Sequence, residues 1–315
     1  MPKPTAQNLA ACAAGIFLCY LYYGIMQEKI IKTVYVYEDK EEKFHYTLVL
    51  ALVQCSINAL FSRLAMTLFN KGDDTTKKSY YAMSAFTLLG AMLASHQALQ
   101  HIPYPTQVLG KSIKPIPVMV MGVLVAGKRY HFKKCICVTL IVLGVAIFMY
   151  KEKSMPSMLG ESDTVGRGEL LLMLSLTMDG LAGAVQDKMK SKYNPEAFTM
   201  MYFINMFQVL YLTISVHITG EIFVFLKFIG RHPYVSYQLI YLSLASAVGQ
   251  MFISVTITTF GSLTCSIVTT TRKFFTILGS VVIMRNPMSP RQMVGTSLVF
   301  VGLMMDVFLK ARPKN

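Results

Sequence analysis

The chain has 315 residues, 54% of them hydrophobic and only 15% charged. Soluble globular domains carry about 25% charged residues, so the composition excludes a soluble enzyme and indicates a polytopic membrane protein. The formal net charge of +14 would suit nucleic acid only on a soluble module with a basic face. Here most of the 30 Lys and Arg stand in short loops between apolar spans, where topology explains them.

The first span is expected at 9–26. Only Lys3 precedes it and no small-residue cleavage site follows its apolar core, so it reads as a retained signal-anchor helix. Residues 28–45 read as a charged loop. Further spans fall near 46–69, 81–100, 103–127 and 132–150, followed by a polar, Gly- and Ser-containing linker at 151–167. Five more fall near 168–188, 198–219, 235–259, 262–284 and 290–309. The expectation is an all-α membrane protein of ten transmembrane helices, with one five-helix repeat at 9–150 and a second at 168–309. Both termini are placed in the cytosol, where fourteen Lys and Arg fall against eleven on the opposite side. The six cysteines (12, 19, 55, 135, 137 and 265) lie in or at the edges of apolar spans, which implies neither disulfides nor zinc. No motif calls for a metal or another cofactor.

The halves repeat. GIMQEK (Gly24 to Lys29) matches GAVQDK (Gly183 to Lys188) at an offset of 159, which makes Glu28 and Asp187 counterparts. PTQVLGKSIKPIPVMVMG (Pro105 to Gly122) aligns with LTCSIVTTTRKFFTILGS (Leu263 to Ser280) at an offset of 158. That register sets Arg272 on Lys114, Thr269 on Lys111 and Gly302 on Gly144. A repeat of five spans is odd-numbered, so the two halves must be inverted in the membrane. Inverted repeats with broken helices and a midplane site are a secondary-transporter architecture.

The most informative stretch is YPTQVLGKSIKPIPVMVMGVLVAG, Tyr104 to Gly127. Lys111 and Lys114 lie three apart and share a helix face, with Gln107 one turn back. A charge at the bilayer centre costs roughly 2.5–3.5 kcal/mol on insertion scales. Pro115 and Pro117 lack the amide protons that would bond the carbonyls of Lys111 and Ile113. Such a break is tolerated where it is buried in protein or lines a cavity. With Arg272 and Lys273 of the ninth span, four cations are expected to converge as a site for a multi-phosphate ligand. Arg offers a planar fork and Lys a point charge, and Thr269 and Gln107 assist as neutral hydrogen-bonding groups. Glu28 and Asp187, at span ends, are expected to gate the two faces by alternating contact with the site cations; solvated helix-end charges are the alternative. Asp179 lies mid-span and is set outside the site, a structural hydrogen bond being at least as good an account. Gly110-Lys111-Ser112 mimics the end of a phosphate-binding loop, but Pro105 stands where that motif needs glycine. No catalytic residue is expected: an intramembrane transferase would want paired acids, histidines or a metal cluster beside the cations.

YYGIMQEKI, YPTQVLGKSIKPIPVM, GELLLMLSLTMDGL, LTCSIVTTTRKFFTILGS and VGTSLVFVGL closely resemble the nucleotide-sugar transporter family, solute carrier family 35, over Tyr20 to about Asp306. Within it they are similar to the UDP-galactose transporter homologue branch, also described as an endoplasmic-reticulum ATP/ADP exchanger. The resemblance implies the drug/metabolite-transporter fold, strict nucleotide antiport of ATP against ADP, and an endoplasmic-reticulum membrane as its place. It also implies a phosphate site at Lys111, Lys114, Arg272 and Lys273, with Gln107 and Glu28 assisting. Exchange of UDP-galactose or another UDP-sugar against UMP uses the same cations and remains the alternative. Arg312 and Pro313 stand where a dilysine retrieval signal would, which keeps the Golgi membrane open. The expected partners are nucleotides and the lipid bilayer, without nucleic acid, in a monomer or homodimer.

Overall fold

The computed structural model describes residues 5–37, 40–69, 74–102, 107, 110–149, 165–283 and 290–311. Among them the chain is helical apart from one hairpin. The helices are α1 (Ala6–Lys32), α2 (Thr47–Phe69), α3 (Lys78–Leu99), α4 (Pro115–Leu124), α5 (Phe132–Met149), α6 (Val165–Tyr193), α7 (Ala197–Thr219), α8 (Glu221–Arg231), α9 (Tyr234–Phe260), α10 (Ser262–Ile283) and α11 (Pro290–Ala311). Five stretches, Gln7–Ile31, Thr47–Phe69, Gly166–Tyr193, Ala197–Thr219 and Tyr234–Phe260, are long and apolar enough to cross a membrane. Most of the linker expected at 151–167 lies outside the described residues.

The chain forms two compact units. One joins Met1–Phe86 to Met189–Thr259; the other joins Thr87–Lys188 to Phe260–Asn315. Each unit therefore draws from both sides of the linker.

In the first unit the N-terminus of α1 is capped by the Thr5 hydroxyl, which accepts from the Asn8 amide at 3.3 Å. The stretch read as a charged loop at 28–45 is more ordered than expected. Helix α1 runs on to Lys32, and β1 (Val34–Tyr37) then pairs antiparallel with β2 (Lys40–Lys43), Val34 opposite Lys43. The reason is the run Val-Tyr-Val-Tyr, whose β-branched and aromatic side chains favour a pleated strand. Tyr35 is the inward residue: it is buried and donates its hydroxyl to the Ile30 carbonyl at 2.9 Å. Around it pack Phe44, Val49, Leu50, Val216, Phe225, Phe228 and Leu239. The short helix α8, between the spans expected at 198–219 and 235–259, supplies Phe225 and Phe228 to this core. Its Glu221 also accepts the amides of Leu48 and Val49 at 3.0 Å each, which satisfies two of the free donors at the start of α2. Helices α2 and α7 pack antiparallel, with Cys55 beside Gln208 and the Asn58 amide donating to Asn205 at 3.3 Å.

In the second unit the core is Val118 of α4, Val138, Ile141, Val142, Val145 and Phe148 of α5, Leu263, Ile267 and Phe274 of α10, and Val299 of α11. Helices α5 and α11 run backbone to backbone. A Cβ on Gly144 would sit 2.7 Å from the Gly295 carbonyl, and a Cβ on Gly295 would sit 2.7 Å from the Gly144 carbonyl. Farther along, Gly302 lies against the backbone of Cys137 and Ile141. Small residues are what allow such an approach between apolar helices.

Candidate functional site

The second unit holds the cations singled out by the sequence. Residues 110–112 are helical, 113–114 form a turn, and α4 begins at Pro115. The helix breaks where the prolines predict, and the freed carbonyls find other donors. The Lys111 carbonyl accepts from the Lys114 amide at 3.4 Å, and the Ile113 carbonyl from the Ile116 amide at 2.9 Å. Both are contacts three residues apart, the tighter winding that commonly joins helix ends. Pro115 stands at the first helical position, where its missing amide would have no partner in any case.

The break aims both lysines at one carboxylate. Lys114 Nζ donates to Asp179 Oδ1 at 2.8 Å, and Lys111 Nζ lies 4.0 Å from Asp179 Oδ2. The Asp179 side chain is 9% exposed, against 22% for Lys111 and 33% for Lys114. It is brought there by close packing of α6 on α4: a Cβ on the next residue, Gly180, would come within 2.8 Å of the Pro117 carbonyl. The structural account weighed for Asp179 changes in one respect: it bonds to Lys114 rather than to a Ser, Thr or backbone group. The signal available in the sequence was its place as the one acid well inside a span; nothing local tied it to Lys114 and Lys111, 65 and 68 residues earlier.

The other expected residues divide. Gln107 is buried, but its amide donates to the carbonyl and hydroxyl of Ser95, both at 2.8 Å, so it fastens the approach to the break onto α3. Thr269 and Arg272 are half-buried on α10, which packs against α4. The Thr269 hydroxyl donates back to the carbonyls of Cys265 and Ser266 at 3.0 and 3.1 Å, a local bond common for threonine in helices. Lys273 lies in α10, and its side chain falls outside the described residues. Glu28 is exposed near the end of α1, in the first unit.

Asp187 is fully enclosed, in a cluster the sequence reading missed. It accepts the Ser262 amide at 2.9 Å and the Ser262 hydroxyl, which caps the start of α10. Lys128 Nζ lies 2.8 Å from Asp187 Oδ2, the oxygen that also takes the Ser262 hydroxyl. Its cation is thus a loop lysine just after α4, not one of the expected site cations. Gly261 makes room: its φ is +94°, and a Cβ there would sit 3.2 Å from Lys128 Nζ and 3.3 Å from Asp187 Oδ1. Nearby, burial and then the negative charge of Asp187 push the Tyr130 phenol up to about 12, so it stays neutral. Among the described residues no group of His, Cys, Asp and Glu could hold a metal ion.

A model of the UAA transporter family matches residues 8–310. The chain belongs to the UAA transporter family. Its relatives include solute carrier family 35 member B1 of Xenopus tropicalis, 51% identical over 300 residues that cover 95% of this chain and 93% of the relative. The protein of that name from Bos taurus is 49% identical, with 96% and 94% covered. The Drosophila melanogaster homolog is 41% identical, with 98% and 92% covered. The resemblance to solute carrier family 35 read from the motifs is thereby established. A solved crystal structure superposes with a TM-score of 0.70 over 97% of this chain and 98% of the other, at 8% identity, and speaks to the fold of the transporter alone.

Proposed function

We propose that this transporter is a nucleotide antiporter of the endoplasmic-reticulum membrane, exchanging cytosolic ATP for lumenal ADP by alternating access. The observation that carries the reading is the pair Lys111 and Lys114 at a helix break inside an apolar stretch, on a helix that packs against the one bearing Arg272. Ammonium and guanidinium groups at such a place suit phosphate oxygens, which could not cross hydrocarbon unpaired. Lys111, Lys114, Arg272 and Lys273 are assigned to the phosphates, with Thr269 beside them. The adenine preference and the organelle rest on the family motifs, among them KSIKPIPVM and TTTRKFFT, and the cytosolic termini on the bias of Lys and Arg between the two sides.

The architecture assigned is ten spans in two inverted repeats, 9–150 and 168–309. Packing supports it. The second and seventh spans (α2 and α7), the fourth and ninth (α4 and α10), and the fifth and tenth (α5 and α11) each contact their counterpart. For α5 and α11 the contacts obey the exchange in detail. Gly144 touches Gly295; their counterparts, Gly302 and Cys137, also touch. Helices α2 and α7, and α5 and α11, run in opposite directions, as an inverted repeat requires.

Counterflow tests the reading. Proteoliposomes preloaded with ADP are expected to take up labelled ATP only while internal ADP is present. Lys114→Ala with Arg272→Ala is expected to bring uptake to background. Uptake confined to UDP-galactose outside and UMP inside would replace this substrate assignment with the UDP-sugar alternative.

A further inference from the structure

We propose that Asp179 is an internal stand-in for substrate phosphate: in the empty carrier its carboxylate holds Lys114 and Lys111, and an arriving phosphate takes these lysines from it. The inference rests on the assignment of both lysines to phosphate.

Three observations converge. Asp179 Oδ1 is in direct hydrogen-bond contact with Lys114 Nζ at 2.8 Å, and Oδ2 lies 4.0 Å from Lys111 Nζ. The carboxylate is nearly enclosed, whereas both lysines keep part of their side chains accessible. The acid is also held in place: Gly180 rests on the Pro117 backbone and Gly183 on Val118 and Ser262, so α6 fixes its distance from the break.

A carboxylate and a phosphate present the same chemistry to an ammonium, an anionic oxygen that accepts charge-assisted hydrogen bonds. With no nucleotide bound, the two lysines would otherwise leave two like charges together at low dielectric. Asp179 reduces that pair and itself to a net single positive charge. When a phosphate binds, the same carboxylate becomes a like charge beside it and weakens its hold. Asp179 therefore does two things to the exchange cycle. It keeps the empty site from being a bare cationic cluster, and it helps a bound nucleotide leave. Strict exchange would then owe less to repulsion among site cations than the lysine and arginine positions alone suggest. Removing the acid should give a carrier that binds harder and turns over more slowly.

The test uses the purified full-length chain, with equilibrium binding of labelled ATP and ADP to the wild type and to Asp179→Asn, and thermal unfolding without nucleotide. The expected result is binding about five- to tenfold tighter in Asp179→Asn, the size of a typical coupling between charges at one site, together with a lower unfolding temperature in the empty state. A folded Asp179→Asn that binds ATP equally or more weakly would overturn the proposal and make the acid a structural counter-ion. Should Asp179→Asn fail to fold, Lys114→Gln with Asp179→Asn removes both charges, which buried pairs tolerate. It should bind ATP more tightly than Lys114→Gln alone, because Lys111 no longer shares its charge; no difference overturns the proposal. If the wild type binds UDP-galactose and not ATP, the substrate assignment fails and the same comparison made with UDP-galactose decides the role of Asp179. A wild type that binds neither overturns both.

Discussion

Lys128 Nζ lies 2.8 Å from Asp187, whose carboxylate also takes the amide and hydroxyl of Ser262 at the start of α10. One enclosed acid thus ties together the loop after α4, the later turns of α6 and the N-terminus of α10. Asp187→Ala removes all three bonds and leaves a partly enclosed lysine, and is expected to cost about 3 kcal/mol. Lys128→Gln leaves the Ser262 bonds intact and removes a cation that is 32% exposed, so about 1 kcal/mol is expected. The chain has no Trp, and its six cysteines are buried or half-buried thiols. Thermal unfolding followed with a thiol-reactive dye therefore measures the difference, and equal losses would contradict the arrangement.

The two site lysines should separate in the same assay. Lys114 is in direct contact with Asp179, whereas Lys111 is at the outer limit of an ion pair. Lys114→Gln is expected to cost about 2 kcal/mol in the absence of nucleotide, because it strands a buried carboxylate. Lys111→Gln is expected to cost less than about 1 kcal/mol. Under the proposed phosphate assignment both substitutions should reduce transport alike, whereas their stability losses differ.

Glycines give a sharper contrast. Gly144→Ala places a methyl group 2.7 Å from the Gly295 carbonyl and 2.8 Å from the Val299 amide. Neither is a flexible group, so α5 and α11 must move apart, at about 2 kcal/mol. Gly24→Ala meets nothing within 4 Å and is expected to be neutral or to stabilise α1 by roughly 0.5–1 kcal/mol. Unfolding temperatures of the two single variants decide it.

Asp74 predicts an acid-side dependence. Burial opposes its charge, but hydrogen bonds from Thr76 and Lys78 outweigh that and hold its carboxyl below the ordinary value of 3.8. A lowered folded pKa means the stabilisation is present above the unfolded value and lost as pH falls through the folded one. Asp74→Asn should therefore lower the unfolding temperature near neutral pH and leave a smaller further loss below about pH 4. Circular-dichroism melts of both proteins across that range test the sign. Parallel curves at all pH values would remove Asp74 as the source.

The sequence made some of this legible and hid the rest for definite reasons. Lys111, Lys114 and the prolines stood out because charge and missing amides are local costs that any apolar helix must meet. Asp179 was visible as an acid inside a span, but its pairing with Lys114 and Lys111, 65 and 68 positions earlier, depends on the packing of Gly180 against Pro117, which has no local sign. Asp187 was visible as the counterpart of Glu28. Its true cation, Lys128, looked like one of many loop lysines because only the turn at Gly127, with φ at +64°, directs the chain there. The hairpin at Val34–Lys43 was hidden by its second strand, Lys-Glu-Glu-Lys, whose composition reads as solvent-exposed loop. The burial of Tyr35 against Phe228 and Phe44 is what pins it.

Each compact unit takes helices from both sides of residue 150, and this bears on how the chain is made. Helix α2 ends at Phe69 and its partner α7 ends at Thr219. At ribosomal speeds of about 5–20 residues per second, α2 waits roughly eight to thirty seconds for α7 to emerge. During that interval the Asn58 side-chain amide lacks the Asn205 Oδ1 acceptor that later meets it. Helix α5 likewise waits for α11, with the bare backbone at Gly144 facing lipid. A nascent chain halted near the middle would hold half of each unit and neither one whole, which makes it a natural substrate for membrane quality control.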